Sequence, residues 1–225
     1  MLVLFDIDDT LVDHASAVSA GGASLYAAIH PAAPLPVFLA AWRDAMSHHF
    51  PRYLSGELTY QGQRRARIRQ TVSTTLTDAQ ADELFAAYSR AYEAHWALFP
   101  DVLSCLDSLA EHRLGVISNG NGLEQRRKLE HTGIAGRFEA IHISTECGQP
   151  KPAAEIFHRA CRVAAVAVRD AVYVGDVYEI DAVGARQAGL HGIWLDRHQS
   201  RRVDHVPPII GGLEELADLV RARAV

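Results

Sequence analysis

The chain reads as an α/β protein: a parallel sheet with helices on both faces and an all-helical segment inserted after the first strand. Three observations predict this. Short apolar runs alternate with helical patterns along most of the 225 residues, the rhythm of a parallel sheet. The runs are continuous rather than alternating, as in strands buried on both faces. Between residues 14 and 97 the alternation stops and only helical periodicity remains.

Residues 2–6 form the first apolar run, which ends at Asp6. In the inserted segment Phe38, Trp42, Ala45, Met46 and Phe50 mark one apolar face. Thr77-Asp78-Ala79-Gln80 predicts a capping box that opens a helix carrying Leu84, Tyr88, Ala91 and Tyr92 on one side. Pro100-Asp101 marks the return to the α/β part. There, residues 101–112 repeat Val102, Leu103, Leu106, Leu109 and Ala110 at helical spacing. The runs at 114–118, 140–144, 171–176 and 192–196 predict strands, and 122–132, 153–165 and 181–188 predict helices. Gly189 suits the last helix as its C-cap. The predicted domains are 1–13 with 98–225, and 14–97.

Bulk properties exclude several classes. The net charge of −5 and the absence of a long basic run argue against a nucleic-acid partner. The densest basic clusters, Arg64-Arg65-Ala66-Arg67, Arg126-Arg127 and Arg201-Arg202, read as solvated helix faces. Cys105, Cys147 and Cys161 form no Cys-x-x-Cys pair, which argues against a disulfide framework or structural zinc and fits a reducing cytoplasm. The opening Met1-Leu2-Val3-Leu4-Phe5 lacks a basic leader and is too short for a signal segment or a membrane span. The twelve histidines are scattered and read as surface or packing residues.

In an open parallel sheet, ligands bind beyond the carboxyl ends of the strands. Asp6 ends the first strand and Asp8 follows; Ser118 ends the second; Asp176 follows the run 171–175, with Asp181 five residues on. Lys151 precedes the helix that leads into that run. Singly, each has an ordinary role as cap or turn residue. Together they line one rim.

The order "FDIDDTL", "ISNG", "KP" and "GDVYEID" resembles the four motifs of the haloacid dehalogenase superfamily. The resemblance spans essentially the whole chain, including "GARQAG" and "GIWLDR" near its end. It implies a Rossmann-like core, with residues 14–97 as a helical cap of the C1 type, and the phosphatase branch of the family.

The chemistry also follows from the residue types. A carboxylate can attack phosphorus and split one hard step into two, which makes Asp6 the candidate nucleophile. Such an attack needs a cation, and Mg²⁺ takes one or two protein carboxylates. Asp6 and Asp176 can supply them, and the resemblance adds the Asp8 carbonyl. The Asp8 carboxyl is then left as general acid and base. Ser118 and the Asn119 N–H can donate to phosphoryl oxygens, and Lys151 offers fixed positive charge. By resemblance, Asp181 orients Lys151 or holds a metal-bound water. Thr10 braces the loop, and Asp9 is a spacer with a turn or capping role.

The function expected is hydrolysis of a small-molecule phosphate monoester. A phosphomutase, a haloacid dehalogenase that attacks carbon without Mg²⁺, and a non-catalytic binding protein are the alternatives. Discrimination among leaving groups is expected from the cap, where "HHFPRYLSGELTY" at 48–60 reads as a helix-to-helix turn carrying His49 and Arg52.

Overall fold

In the computed structural model, six parallel strands among the described residues lie in the order β3-β2-β1-β4-β5-β6. They are β1 (Leu2–Phe5), β2 (Arg113–Ser118), β3 (Ala140–Ile143), β4 (Ala171–Gly175), β5 (His191–Leu195) and β6 (Ile209–Ile210). The structure describes residues 1–199 and 207–222; Arg201 and Arg202 lie outside them. β1 is central, pairing Val3 with Leu114 on one side and with Val172 on the other. A strand with neighbours on both edges and helices on both faces has no wet side, so β1 is buried at all four positions.

Between the strands run α5 (Val102–Ser108), α6 (Gly122–His131), α7 (Ser144–Cys147), α8 (Ala154–Val163), α9 (Gly184–Gln187) and, after β6, α10 (Leu216–Arg221). One sheet face packs Val3, Phe5 and Val116 with Leu106, Leu129 and Leu216. The other packs Leu2, Leu4 and Tyr173 with Ile156, Phe157 and Ala185. The helix expected at 181–188 starts earlier, as a π-helical stretch Tyr178–Val183 that runs into α9. Gly189 follows with φ +91°, the left-handed conformation expected of a terminating glycine. β6, only two residues long, gives too short a pattern to be read from sequence.

The chain divides into two compact units: Met1–Asp13 with Leu98–Val225, and His14–Ala97. The second contains only helices: α1 (His14–Ile29), α2 (Leu35–Leu54), α3 (Tyr60–Thr71) and α4 (Asp78–Ala94). They close over Trp42, Phe85 and Tyr88, with the Trp42 and Tyr88 rings 4.7 Å apart. The capping box forms: Thr77 Oγ1 accepts from the Gln80 N–H, and Gln80 Oε1 accepts from the Thr77 N–H.

Two expectations for this unit need correction. The 64–67 cluster is not simply a solvated face. Arg67 is buried, its guanidinium 4.3 Å from the centre of the Trp42 ring. Arg64 lies over Tyr60, and Arg65 pairs with Asp78 and Asp82 of α4. Nor is 48–60 a turn throughout. α2 continues to Leu54 with Pro51 inside it, leaving 55–59 as the connection. Proline there sacrifices one N–H but still accepts, its carbonyl taking the Ser55 N–H.

Among the described residues no helix is long and apolar enough to cross a membrane. The three cysteines are free, Cys105 and Cys161 buried.

Candidate active site

The chain leaves β1 towards β2 and β3 on one side, then returns to build β4, β5 and β6 on the other. The crevice of such a sheet lies where this direction changes, between β1 and β4. Asp6 and Asp176 directly follow those two strands. The Asp6 N–H donates to the Val174 carbonyl at 3.0 Å, prolonging the β1–β4 ladder and fixing the residue against β4. Beyond it the chain turns tightly. The Leu11 and Val12 N–H groups donate to the Ile7 carbonyl, and Asp9 takes a left-handed φ of 54° while its N–H donates to Val12. That is the turn role expected of Asp9. Arg197, held by Asp101, donates to the Thr10 carbonyl at 2.8 Å and braces this loop from the end of β5.

The centre of the site is a buried charge cluster. Lys151 Nζ lies 2.8 Å from Asp6 Oδ1 and 2.7 Å from Asp181 Oδ1, and donates to the Tyr173 hydroxyl at 2.7 Å. Asp181, fully buried, has both oxygens engaged: Oδ1 by Lys151 and Tyr173, Oδ2 by the Val177 N–H at 2.9 Å. Gly175 makes this close approach feasible, since a Cβ there would stand 2.5 Å from Asp181 Cγ. Asp176 is tied down by Trp194, whose indole donates to its carbonyl at 2.8 Å; the Thr10 hydroxyl makes a long 3.4 Å contact to Oδ1.

Three carboxylates around one ammonium leave this cluster with excess negative charge. Burial, reinforced by Asp181 and opposed by Lys151, pushes the Asp6 carboxyl up to about 7. Burial with Asp6, Asp181 and Asp9 nearby pushes Asp176 up to about 8. Burial opposes the charge on Lys151, but Asp181 and Asp6 outweigh it and hold the ammonium above the usual lysine range. Burial and the same two carboxylates raise the Tyr173 hydroxyl well above its ordinary value, so it stays a hydrogen-bond donor.

These residues fit a divalent cation. Asp6, Asp176 and Asp181 each offer a carboxylate oxygen, all within 4.8 Å of one another. Asp181 is committed to its three donors, which leaves Asp6 and Asp176. Asp6 Oδ1 is shielded from water and close to Lys151, yet among the described residues it receives no well-directed hydrogen bond. An under-satisfied buried carboxylate beside a second one, both resisting ionisation, suits a hard, oxygen-seeking ion such as Mg²⁺.

Ser118 ends β2, buried, and accepts from Gln125 Nε2 at 3.0 Å. Asn119 joins two loops: its side chain accepts from the Lys151 N–H at 2.8 Å and donates to the Lys151 carbonyl at 3.0 Å. The stretch that carries the ammonium is thereby fixed to the end of β2. The Asp8 side chain, 26% exposed, is met by two residues of α6: Lys128 Nζ on Oδ1, and Gln125 Nε2 on Oδ2 at 2.8 Å. Sequence reasoning passed over Gln125, Lys128, Tyr173 and Arg197. The first two sit in "GLEQRRKLEH", which looks like a surface helix, and Tyr173 looks like an ordinary core aromatic.

His49 and Arg52 both lie on α2. Arg52 Nη1 is 3.0 Å from His49 Nδ1, while Nε and Nη2 both donate to Glu57 Oε1, at 2.9 and 2.6 Å. Glu57 thus occupies two of the guanidinium nitrogens with which Arg52 could grip an anion. Burial, with His48 and Arg52 adding to it, lowers the His49 imidazole below its usual range.

Comparison with known proteins agrees with this architecture. A model of the haloacid dehalogenase-like hydrolase family matches residues 1–189. The chain is 30% identical to the glyceraldehyde 3-phosphate phosphatase of Methanopyrus kandleri, over 99% of this chain and 97% of that one. Among solved structures, the magnesium-bound HAD-hydrolase YfnB from Bacillus subtilis superposes with a TM-score of 0.80 at 22% identity, covering 97% of each chain. A 2-haloacid dehalogenase from Pseudomonas syringae pv. Tomato gives 0.71 at 28% identity, covering 100% of this chain and 99% of that one. The strand order, the acidic crevice and the family match over residues 1–189 lead to one conclusion: the chain belongs to the haloacid dehalogenase-like hydrolases.

Proposed function

We propose that the protein is a Mg²⁺-dependent phosphatase that hydrolyses a small-molecule phosphate monoester through an aspartyl-phosphate on Asp6. The observation that carries this reading is the Asp6–Asp176 pair at the β1/β4 crevice, with both carboxyls pushed up in a way that a divalent cation relieves. The name of the Methanopyrus kandleri relative supports the same reaction class.

A carboxylate oxygen of Asp6 forms a bond to phosphorus, and the bond from phosphorus to the alcohol oxygen breaks. Asp8 gives that oxygen its proton. Asp8 then takes a proton from water as the water oxygen attacks phosphorus, and the Asp6 carboxylate and inorganic phosphate are released. The Ser118 hydroxyl and the Asn119 N–H donate to phosphoryl oxygens, and Lys151 faces the negative charge that moves between nucleophile and leaving group. Asp181 and Tyr173 keep Lys151 in place. Asp6 and Asp176, with the Asp8 carbonyl as a further oxygen, would hold Mg²⁺, which would supply positive charge against the phosphoryl oxygens.

Recognition of the leaving group is assigned to residues 14–97, acting as the cap, with Arg52 and His49 as the proposed contacts. An anion bound by Arg52 exchanges with Glu57. The Pseudomonas syringae dehalogenase keeps a second reading in view, displacement at carbon on the same fold. A phosphomutase would use the same four motifs.

Turnover of an aryl phosphate, a phosphometabolite panel and a 2-haloacid, each with Mg²⁺ and with EDTA, separates the three. Mg²⁺-dependent release of inorganic phosphate is the expected result. Halide release from a 2-haloacid without metal would establish the dehalogenase, and isomerised phosphate ester without free phosphate the mutase.

A further inference from the structure

Asp8 has two chemical tasks, to give a proton and later to take one. Both require its carboxyl group to stay aimed at the same spot while the alcohol leaves and water arrives. An aspartate in a loop has two freely turning bonds, so something must hold it. α6 supplies the holders. Lys128 Nζ meets Oδ1, and Gln125 Nε2 meets Oδ2 at 2.8 Å. The two residues sit one turn apart and therefore on one face of the helix.

The setting of Lys128 indicates what it is for. Its side chain is completely buried. An ammonium buried beside a partly exposed carboxylate gains little stability over a well-packed apolar residue, because the ammonium gives up its hydration. Packing alone therefore gives no reason for an ammonium here. Gln125 is also buried, and its amide nitrogen reaches Ser118 Oγ at 3.0 Å and the Asn119 carbonyl at 3.3 Å as well as Asp8. Its Oε1 has no hydrogen-bond partner among the described residues. The orientation of that amide is set by its acceptors: turned over, it would aim an oxygen at the Asp8 carboxylate. One side chain thus ties the acid/base residue to the end of β2, where the phosphoryl group is received.

We propose that Lys128 and Gln125 are positioning residues for the acid/base step: a two-point clamp from α6 that fixes the Asp8 carboxylate, with Gln125 also setting its register to Ser118. This rests on the phosphatase reading above. Neither residue transfers a proton itself.

The test compares Lys128→Met with wild type on an aryl phosphate, whose leaving group needs little protonation, and on an alkyl phosphate, whose leaving group needs much. The quantity compared is kcat/KM, which covers only the steps through departure of the alcohol. General acid catalysis is worth roughly 10²–10⁴-fold. A clamp that loses one of two points should forfeit about 30–100-fold on the alkyl ester and under about 5-fold on the aryl ester. In an Asp8→Asn background the same substitution should cost almost nothing more, since residues acting as one unit are not additive. Gln125→Met, nearly isosteric, is measured alongside and carries the test if Lys128→Met does not fold. Equal losses on both esters, or an undiminished loss in the Asp8→Asn background, would overturn the clamp while leaving the phosphatase standing. A wild-type protein that releases no phosphate from any monoester would remove the phosphatase reading and the clamp with it.

Discussion

Gly175→Ala tests how tightly the site is built. Gly175 needs no special backbone angle; it needs space. A methyl group there would lie 2.5 Å from Asp181 Cγ, 2.6 Å from Oδ2 and 2.7 Å from Cβ. Carbon atoms prefer about 3.5–4.0 Å, so the carboxyl group must retreat by about 1 Å. Its bonds to Lys151 Nζ, the Val177 N–H and the Tyr173 hydroxyl, now 2.7, 2.9 and 3.1 Å, have no room for that. Lys151 would then follow Asp181 or shift towards Asp6. A misplacement of about 1 Å at a reacting centre costs on the order of 10² in rate. Overpacking costs about 1–3 kcal/mol, which for a chain of this size lowers Tm by roughly 2–12 °C. The assay is kcat/KM with saturating Mg²⁺, together with a thermal melt. Gly136→Ala is the control, because nothing lies within 4 Å of a Cβ there. A Gly175→Ala enzyme within threefold of wild type would refute the argument that Asp181 must sit against the strand end for Lys151 to work.

Further outcomes follow from the same geometry. Asp8→Asn should slow turnover by roughly 10²–10⁴-fold, with smaller losses on esters whose leaving groups need little protonation; equal first-step losses on aryl and alkyl phosphates would contradict the acid role. Asp6 and Asp176 bind protons more tightly folded than unfolded, with folded values of about 7 and about 8 against 3.8. The native state therefore holds more protons between those values, and metal-free stability from this pair is present at low pH and lost as pH rises through them. Mg²⁺ must displace those protons, so calorimetric titration should show proton release and an affinity that rises from pH 5.5 to 8.5; a flat profile would contradict the ligand assignment. Arg52→Ala should reduce kcat/KM for the best phosphometabolite far more than for an aryl phosphate, and an unchanged ranking across the panel would remove Arg52 from substrate recognition.

What the sequence disclosed and what it concealed divide along physical lines. Strand ends were legible because a buried parallel strand is an uninterrupted apolar run, and a polar residue stopping it marks the rim; Asp6, Ser118 and Asp176 all stand out this way. The capping box at Thr77 was legible because both of its hydrogen bonds are local. Lys128 and Gln125 were not legible, because the partner that justifies burying them lies 120 and 117 residues away. A helix written GLEQRRKLEH looks solvated until Asp8 is brought against it. Arg67 was misread for the same reason, its aromatic neighbours coming from α2 and α4. α2 ran past its expected end because the carbonyls of its last turn still find donors beyond Pro51. Tyr173 shows the opposite case, a residue that fits a core strand by its ring and serves the site by its hydroxyl.

The central claim is that Asp6 becomes phosphorylated during turnover. Enzyme mixed with substrate and Mg²⁺, quenched in acid within the first turnovers and digested, can be read by peptide mass spectrometry. The account predicts a phosphoryl group on the N-terminal peptide at Asp6, sensitive to hydroxylamine, and none in Asp6→Asn, which should also be inactive. An Asp6→Asn enzyme that still releases phosphate at close to the wild-type rate, or a phosphoryl group carried on another residue, would contradict it.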